Sequence, residues 1–195
     1  AILIEVRFWH RATEILGFSR VPNRAPELLE KGWWHSFQFP SGERVDGVPS
    51  TQELNRQLAR FHVPNDLSGK RVLDIGAWDG WFSFEMERRG ADVLAVDCWD
   101  NPRFRYAHSQ FKSRVQYRVE DLYDLTPRKI GHFDIVLFFG VLYHLKHPLL
   151  ALEKVCALTR DLAYVESHVI DRGLRSALRA RRAIIVAVHR PVKQM

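Results

Sequence analysis

A chain of 195 residues, 46% of them hydrophobic, can bury one sizeable core and leaves little room for two full domains. Its formal net charge of +6 favours an anionic partner such as nucleic acid, although charge speaks to association and solubility rather than to activity. There is no long apolar run and no signal-peptide pattern, and Cys98 and Cys156 have neither a CxxC spacing nor a histidine at metal distance. These features predict a soluble, cytoplasmic protein with reduced thiols, no bound metal and no membrane contact.

Proline, glycine and asparagine punctuate the chain at Pro22–Pro26, Phe39–Gly42 and Val63–Gly69. They divide an N-terminal extension or lid, residues 1–62, from a main domain, residues 63–195. Leu54, Leu58 and Phe61 recur at helical spacing and predict a helix over Glu53–Phe61. From Arg71 onward, short apolar runs alternate with helical patterns, the sequence form of a mostly parallel twisted sheet with helices on both faces. Strands are expected at Val72–Ile75, Val93–Val96, Val115–Val119, Ile135–Phe139 and Leu162–Val165, and helices at Trp81–Arg89, Arg103–Phe111 and Pro148–Leu158. The connection through Asp124–Pro127 has no strong helix pattern and is expected to be irregular. After the fifth strand, Gly173–Arg182 reads as a helix and Ala183–Val188 as one more strand.

The densest group of candidate ligand contacts lies at Asp74-Ile75-Gly76-Ala77-Trp78-Asp79-Gly80, where a strand turns into a helix. Gly76 and Gly80 let the backbone approach a ligand, and the following helix presents free N–H groups. A dinucleotide fingerprint needs a third glycine, and Phe82-Ser83-Phe84 stands there instead, so a nicotinamide dehydrogenase is disfavoured. Asp97, followed by Cys98, ends the second strand at a distance that suits the two hydroxyls of an adenosine ribose. Glu120-Asp121 follows the third strand, where a carboxylate accepts an adenine amino group. Each acid also has a structural reading: Asp74 as a turn residue, Asp97 as the start of a loop, Glu120-Asp121 as a helix cap.

Val72–Gly80, Asp97, Glu120-Asp121 and Phe133–Pro148 together resemble the Rossmann-like class I S-adenosylmethionine-dependent methyltransferases. The resemblance is closest to the tRNA wobble-uridine (5-hydroxyuridine) methyltransferase-like family and spans Lys31 to Asp171. It is carried by Lys31-Gly32-Trp33-Trp34-His35-Ser36, by Gly140-Val141-Leu142-Tyr143-His144 with His147-Pro148, and by Glu166–Asp171. It implies S-adenosyl-L-methionine as cofactor, with Gly76 near its methionine part, Asp97 at the ribose and Glu120 and Asp121 near the adenine. Phe139 and Tyr143 then line the pocket near the sulfonium. Lys31 matches a lysine that helps to bind the extra carboxylate of carboxy-S-adenosylmethionine in the tRNA enzymes, but their further tryptophan and lysine have no counterpart in Gly42–Gln57. Methyl rather than carboxymethyl transfer is expected. Against the class I pattern of two further strands, the C-terminal hairpin looks shortened.

For the chemistry, His144 is the first candidate for a general base, with a cap at the strand end as its structural alternative. Tyr143 is placed to position the methyl group or the acceptor, and His35 with Trp34 to reach over the pocket. The tryptophan at position 78, where the loop ordinarily has a small residue, either covers the cofactor or narrows the entrance. Glu166 and His168 end the fifth strand as a second acid and base pair. The arginines of the Arg172–Arg182 region read as a phosphate grip or, more commonly, as a solvated face. The function expected is transfer of a methyl group to an oxygen or nitrogen of a small molecule or an RNA nucleoside. The alternative is a non-catalytic RNA-binding or scaffolding protein that retains the fold.

Overall fold

The alternation of apolar runs and helices becomes a six-stranded sheet in the computed structural model of the chain, which describes residues 32–171 and 179–186. A short hairpin of β1 (Phe37–Gln38) and β2 (Arg44–Val45) precedes helix α1 (Thr51–Arg60). The sheet comprises β3 (Arg71–Ile75), β4 (Asp92–Asp97), β5 (Gln116–Val119), β6 (Phe133–Phe139), β7 (Thr159–Asp171) and β8 (Arg179–Val186). Helices α2 (Trp81–Arg88), α3 (Pro102–Phe111), α4 (Pro127–Ile130) and α5 (Pro148–Leu158) connect its strands, with 3-10 turns at Leu122–Asp124 and Leu142–His144.

The strands lie in the order β5-β4-β3-β6-β7-β8, the first five parallel and β8 antiparallel to β7. This is the expected Rossmann-like α/β arrangement. Strand order reverses direction between β3 and β6, and that reversal opens a crevice at the C-terminal edge of the sheet.

Because side chains alternate along a strand, each strand feeds two cores. Val72, Ile135, Leu137 and Tyr164 join an aromatic core with Trp33, Phe37, Phe39, Phe61, Phe84 and Phe104. Leu73, Ile75, Val136, Phe138 and Val165 pack on the other side with Ala151, Val155 and Leu158 of α5. The same alternation puts Asp74, Phe139 and Glu166 on the first face, near the C-terminal edge, and Phe139 and Glu166 are direct neighbours in register. That face is the one covered by residues 33–61.

Helix α1 forms there because Ser50 and Glu53 make a reciprocal capping box, Ser50 Oγ accepting from the Glu53 amide and the Glu53 carboxylate from the Ser50 amide. Leu54 and Leu58, four residues apart, become its buried stripe. Phe61 then stacks on Phe139 and meets Tyr164 edge-on, at ring distances of 4.8 and 5.9 Å.

Three expectations need correction. Of the helix expected over Gly173–Arg182, Arg179–Arg182 lie instead in β8, paired with His168–Asp171, and residues 173–178 lie outside the described residues. Arginine suits a helix by propensity, but backbone pairing with the exposed edge of β7 overrides it. The fifth strand runs from Thr159 to Asp171, well beyond Leu162–Val165, since β8 supplies hydrogen bonds past the point where β6 ends. The irregular connection after Asp124 holds one helical turn, α4, begun by Pro127, whose fixed φ suits a first helical position.

Candidate active site

The turn from β3 into α2 is drawn against the end of β4. The Gly76 and Ala77 amides donate to the Val96 carbonyl at 2.8 and 3.2 Å, and the Trp78 amide donates to Asp97 Oδ2 at 2.9 Å. Asp97 Oδ1 accepts from the Trp99 amide at 3.2 Å, and the Glu120 amide donates to the Asp97 carbonyl at 2.8 Å. Asp74, Asp97 and Glu120-Asp121 therefore stand side by side at the ends of β3, β4 and β5. Gly76 has φ +74, and a Cβ there would run into Val141 Cγ2 from the loop after β6. This backbone cradle has no room for a side chain.

Burial shapes the acids. The Asp74 carboxyl is pushed up to about 6, chiefly because it is fully removed from water, while the Ser83 hydroxyl, donating to Oδ2 at 2.6 Å, opposes the shift. Asp97 is raised by burial too, against the two amides that stabilise its charge. A buried carboxylate beside a second one calls for a cationic or hydroxyl-bearing ligand. Cys98 is an exposed residue whose thiol is nonetheless pushed up, by partial desolvation and by the Asp97 and Asp121 charges, which leaves it a weak nucleophile. Glu120 forms an ion pair with Lys129 of α4, and Asp121 Oδ1 accepts the Tyr123 amide at 2.8 Å, capping the 3-10 turn. Trp78, with φ +53, stacks obliquely against Trp99 at 5.5 Å.

On the other side of the strand reversal lies a small cavity of about 50 Å³. Its apolar walls include Trp34, Leu54, Phe82 and Phe139, and its polar groups are His35, Gln57, Tyr143, Glu166 and His168. Glu166 and His168 do not end the fifth strand but lie within β7; pairing with β6 stops at Glu166, whose carbonyl accepts the Gly140 amide at 3.1 Å.

The expected residues thus divide. Asp74, Gly76, Ala77, Trp78, Gly80, Asp97, Cys98, Glu120 and Asp121 belong to the loops at the ends of β3 to β5. Trp34, His35, Phe139 and Tyr143 meet at the cavity with Glu166 and His168. His144 is exposed and is not one of the cavity walls. Its ring leans on Tyr143 at 4.2 Å, and its pKa is lowered by partial desolvation and by neighbouring His168. Lys31 lies outside the described residues.

Asp79, Gln57 and Phe82 join the site without a sequence signal that marks them as site residues. Asp79 is completely buried, and it accepts the Trp34 and His35 amides on Oδ2, both at 2.9 Å. Its Oδ1 binds His35 Nδ1. The only local signal was an acid inside a glycine turn, since its partners lie 44 and 45 residues away.

Among the described residues no group of three acids, histidines or cysteines could hold a metal ion, and no helix is long and apolar enough to cross a membrane. Both cysteines are free thiols.

A family model described as a methyltransferase domain matches residues 48–190. A ubiquinone biosynthesis O-methyltransferase of Acinetobacter baylyi is 30% identical over 115 residues, covering 57% of this chain and 48% of that protein. A tRNA U34 carboxymethyltransferase of Pseudomonas syringae pv. tomato is 36% identical over 123 residues, covering 58% of this chain and 37% of its own length. The chain thus spans less than half the length of either relative. Among solved structures, the N-terminal domain of EvdMO1 with SAH bound superposes with a TM-score of 0.59 at 23% identity, over 76% of this chain and 66% of that one. At that identity the likeness concerns the fold.

Proposed function

The chain belongs to the methyltransferase domain family, and on that premise we propose that it binds S-adenosyl-L-methionine and transfers its methyl group to an oxygen or nitrogen of a small molecule or an RNA nucleoside. The observation that carries this reading is the alignment of Asp74, the Gly76 cradle, Asp97 and Asp121 along three adjacent strand ends, with Trp78 N–H fastened to Asp97.

The donor set suits the cofactor. Asp74 offers a buried negative charge to the ammonium of its methionine part, Asp97 retains acceptor capacity for ribose hydroxyls, and Asp121 and Glu120 stand near the adenine position. Gly76 admits the methionine part against bare backbone, Ala77 and Gly80 shape the turn by packing on the aromatic core, and Trp78 and Trp99 stand beside the ribose. When bound, the cofactor supplies an electrophilic methyl carbon bonded to a sulfonium. This chain's own residues bind and orient, keep water out and take the acceptor's proton. The cavity beside the end of β6 and the middle of β7 is the acceptor site in this reading, with Phe139 and Tyr143 in its wall. Lys31 and Cys98 complete the proposed cofactor surroundings, while Trp34 belongs to the wall of the acceptor cavity.

Both acceptor classes are represented in the names of the relatives, one an O-methyltransferase and one a tRNA-modifying enzyme. A nucleic-acid contact through the Arg172–Arg182 region is part of the proposal, on the strength of its arginine content. Free thiols at Cys98 and Cys156 support a cytoplasmic location.

Titration calorimetry with S-adenosylhomocysteine tests the cofactor half. The wild type is expected to bind, and Asp97→Ala to lose most of the affinity while remaining folded. No binding by the wild type at millimolar ligand would refute the proposal. Salt-dependent RNA binding without cofactor affinity would favour the scaffolding alternative.

A further inference from the structure

We propose that His35 is the general base that deprotonates a hydroxyl acceptor, and that Asp79 is the positioning residue that gives it the required tautomer. The proposal rests on the methyl-transfer reading and narrows its acceptor to a hydroxyl compound, such as a phenol or an alcohol.

His35 is buried and lies in the cavity wall, whereas His144 is exposed and outside it. Asp79 binds His35 Nδ1, which leaves Nε2 as the ring nitrogen available to the cavity. A carboxylate accepts but cannot donate, so a neutral imidazole beside it carries its proton on Nδ1 and presents a lone pair at Nε2. An aspartate that orients a base histidine works in this way.

The position of the ring is fixed from both sides. Asp79 holds the backbone as well as the ring, through the Trp34 and His35 amides. The opposite side of the segment is laced to the loop before α1: the Val48 amide donates to the Trp34 carbonyl at 2.8 Å and the Gly47 amide to Ser36 Oγ at 2.9 Å. Phe82 meets the His35 ring edge-on at 5.4 Å. Asp79 itself lies between Trp78 and Gly80, so one carboxylate joins the base to the cofactor turn. The buried Arg103 guanidinium lies within electrostatic reach of Asp79. The other titratable groups facing this region are Asp74, Glu166, His168 and Tyr143.

In the transfer, the acceptor O–H proton passes to His35 Nε2. The acceptor oxygen forms its bond to the methyl carbon as the carbon–sulfur bond breaks, and that electron pair remains on sulfur. An amine acceptor that enters neutral does not need this proton removed beforehand, so a built base points to a hydroxyl.

The test uses 4-nitrophenol as the probe, at a pH where the free phenol is mostly protonated, together with nitrogen-15 spectra of the imidazoles. With the full chain, the wild type is expected to generate extra yellow phenolate on mixing and to show His35 with a protonated Nδ1 and a bare Nε2. His35→Gln is expected to lose the phenolate signal. Asp79→Asn keeps an acceptor for the two amides but turns a donor toward Nδ1, so the proton moves to Nε2 and the phenolate signal falls. A wild-type His35 protonated at Nε2, a wild type that produces no phenolate, or a signal that survives His35→Gln and disappears in His168→Gln would each overturn the proposal. The wild-type measurements decide even if a variant does not fold. Calorimetry with S-adenosylhomocysteine on the same samples separates the two readings: binding without the expected tautomer refutes the dyad alone, and the expected tautomer without binding refutes the cofactor assignment alone.

Discussion

Replacing Asp74 with asparagine is expected to stabilise the folded chain while weakening cofactor binding. The Asp74 carboxyl stands at about 6 in the fold against an ordinary 3.8, mainly because burial penalises its charge. The folded protein therefore keeps a proton that the unfolded chain releases between those values. The contribution of Asp74 to stability is greatest below about 4, falls as pH rises through the window to about 6, where the unfolded chain binds fewer protons than the native one, and is level above it. The displacement converts to roughly 3 kcal/mol as an upper limit, because water entry and small shifts of α2 relieve part of the burial cost.

Asn at position 74 never ionises and still accepts from the Ser83 hydroxyl. At mildly alkaline pH the variant is expected to be more stable than the wild type by up to that amount, and its stability should lack the share of the decline between about 4 and 6 that Asp74 contributes. The ammonium of the cofactor would at the same time lose its counter-charge, so S-adenosylhomocysteine affinity should drop. Urea unfolding at several pH values and calorimetry with S-adenosylhomocysteine provide the two readouts. A variant no more stable than the wild type at alkaline pH, or one with unchanged affinity, would show that Asp74 is not a buried charge awaiting a cationic ligand.

Ser50→Ala removes the acceptor for the Glu53 amide and half of the capping box, and should lower stability by about 1 kcal/mol in urea unfolding with the slope unchanged. Gly80→Ala introduces a Cβ 2.6 Å from Phe84 and 2.7 Å from Phe104 at φ +89; we expect a loss of roughly 1–3 kcal/mol and a weaker cofactor turn, and an unchanged urea midpoint would contradict it. S-adenosylhomocysteine is expected to alter the tryptophan emission of the wild type through the Trp78–Trp99 pair and to do so less in Trp99→Phe. Equal responses in the two proteins would place the ligand elsewhere.

Much of the sheet was legible from local pattern. The runs at Val72, Val93 and Ile135 are apolar on both faces because parallel strands are covered twice, and Pro148 marks a helix start by its fixed φ. The tail was misread for a related reason. Arg179–Arg182 carry a helical propensity, but their state is decided by pairing with β7, which no local pattern announces.

What the sequence by itself determined is the order of strands and helices and the turn from Asp74 to Gly80, since periodicity, glycine and capping act within a few residues. Tertiary structure alone decided which groups share a cavity. Asp79 meets His35 across 44 residues, and Glu166 stands beside Phe139 only because β6 and β7 pair in one particular register. Local pattern can place a side chain on a face. It cannot say which distant chain covers that face, because that choice is made by packing and by the need to satisfy a buried carboxylate.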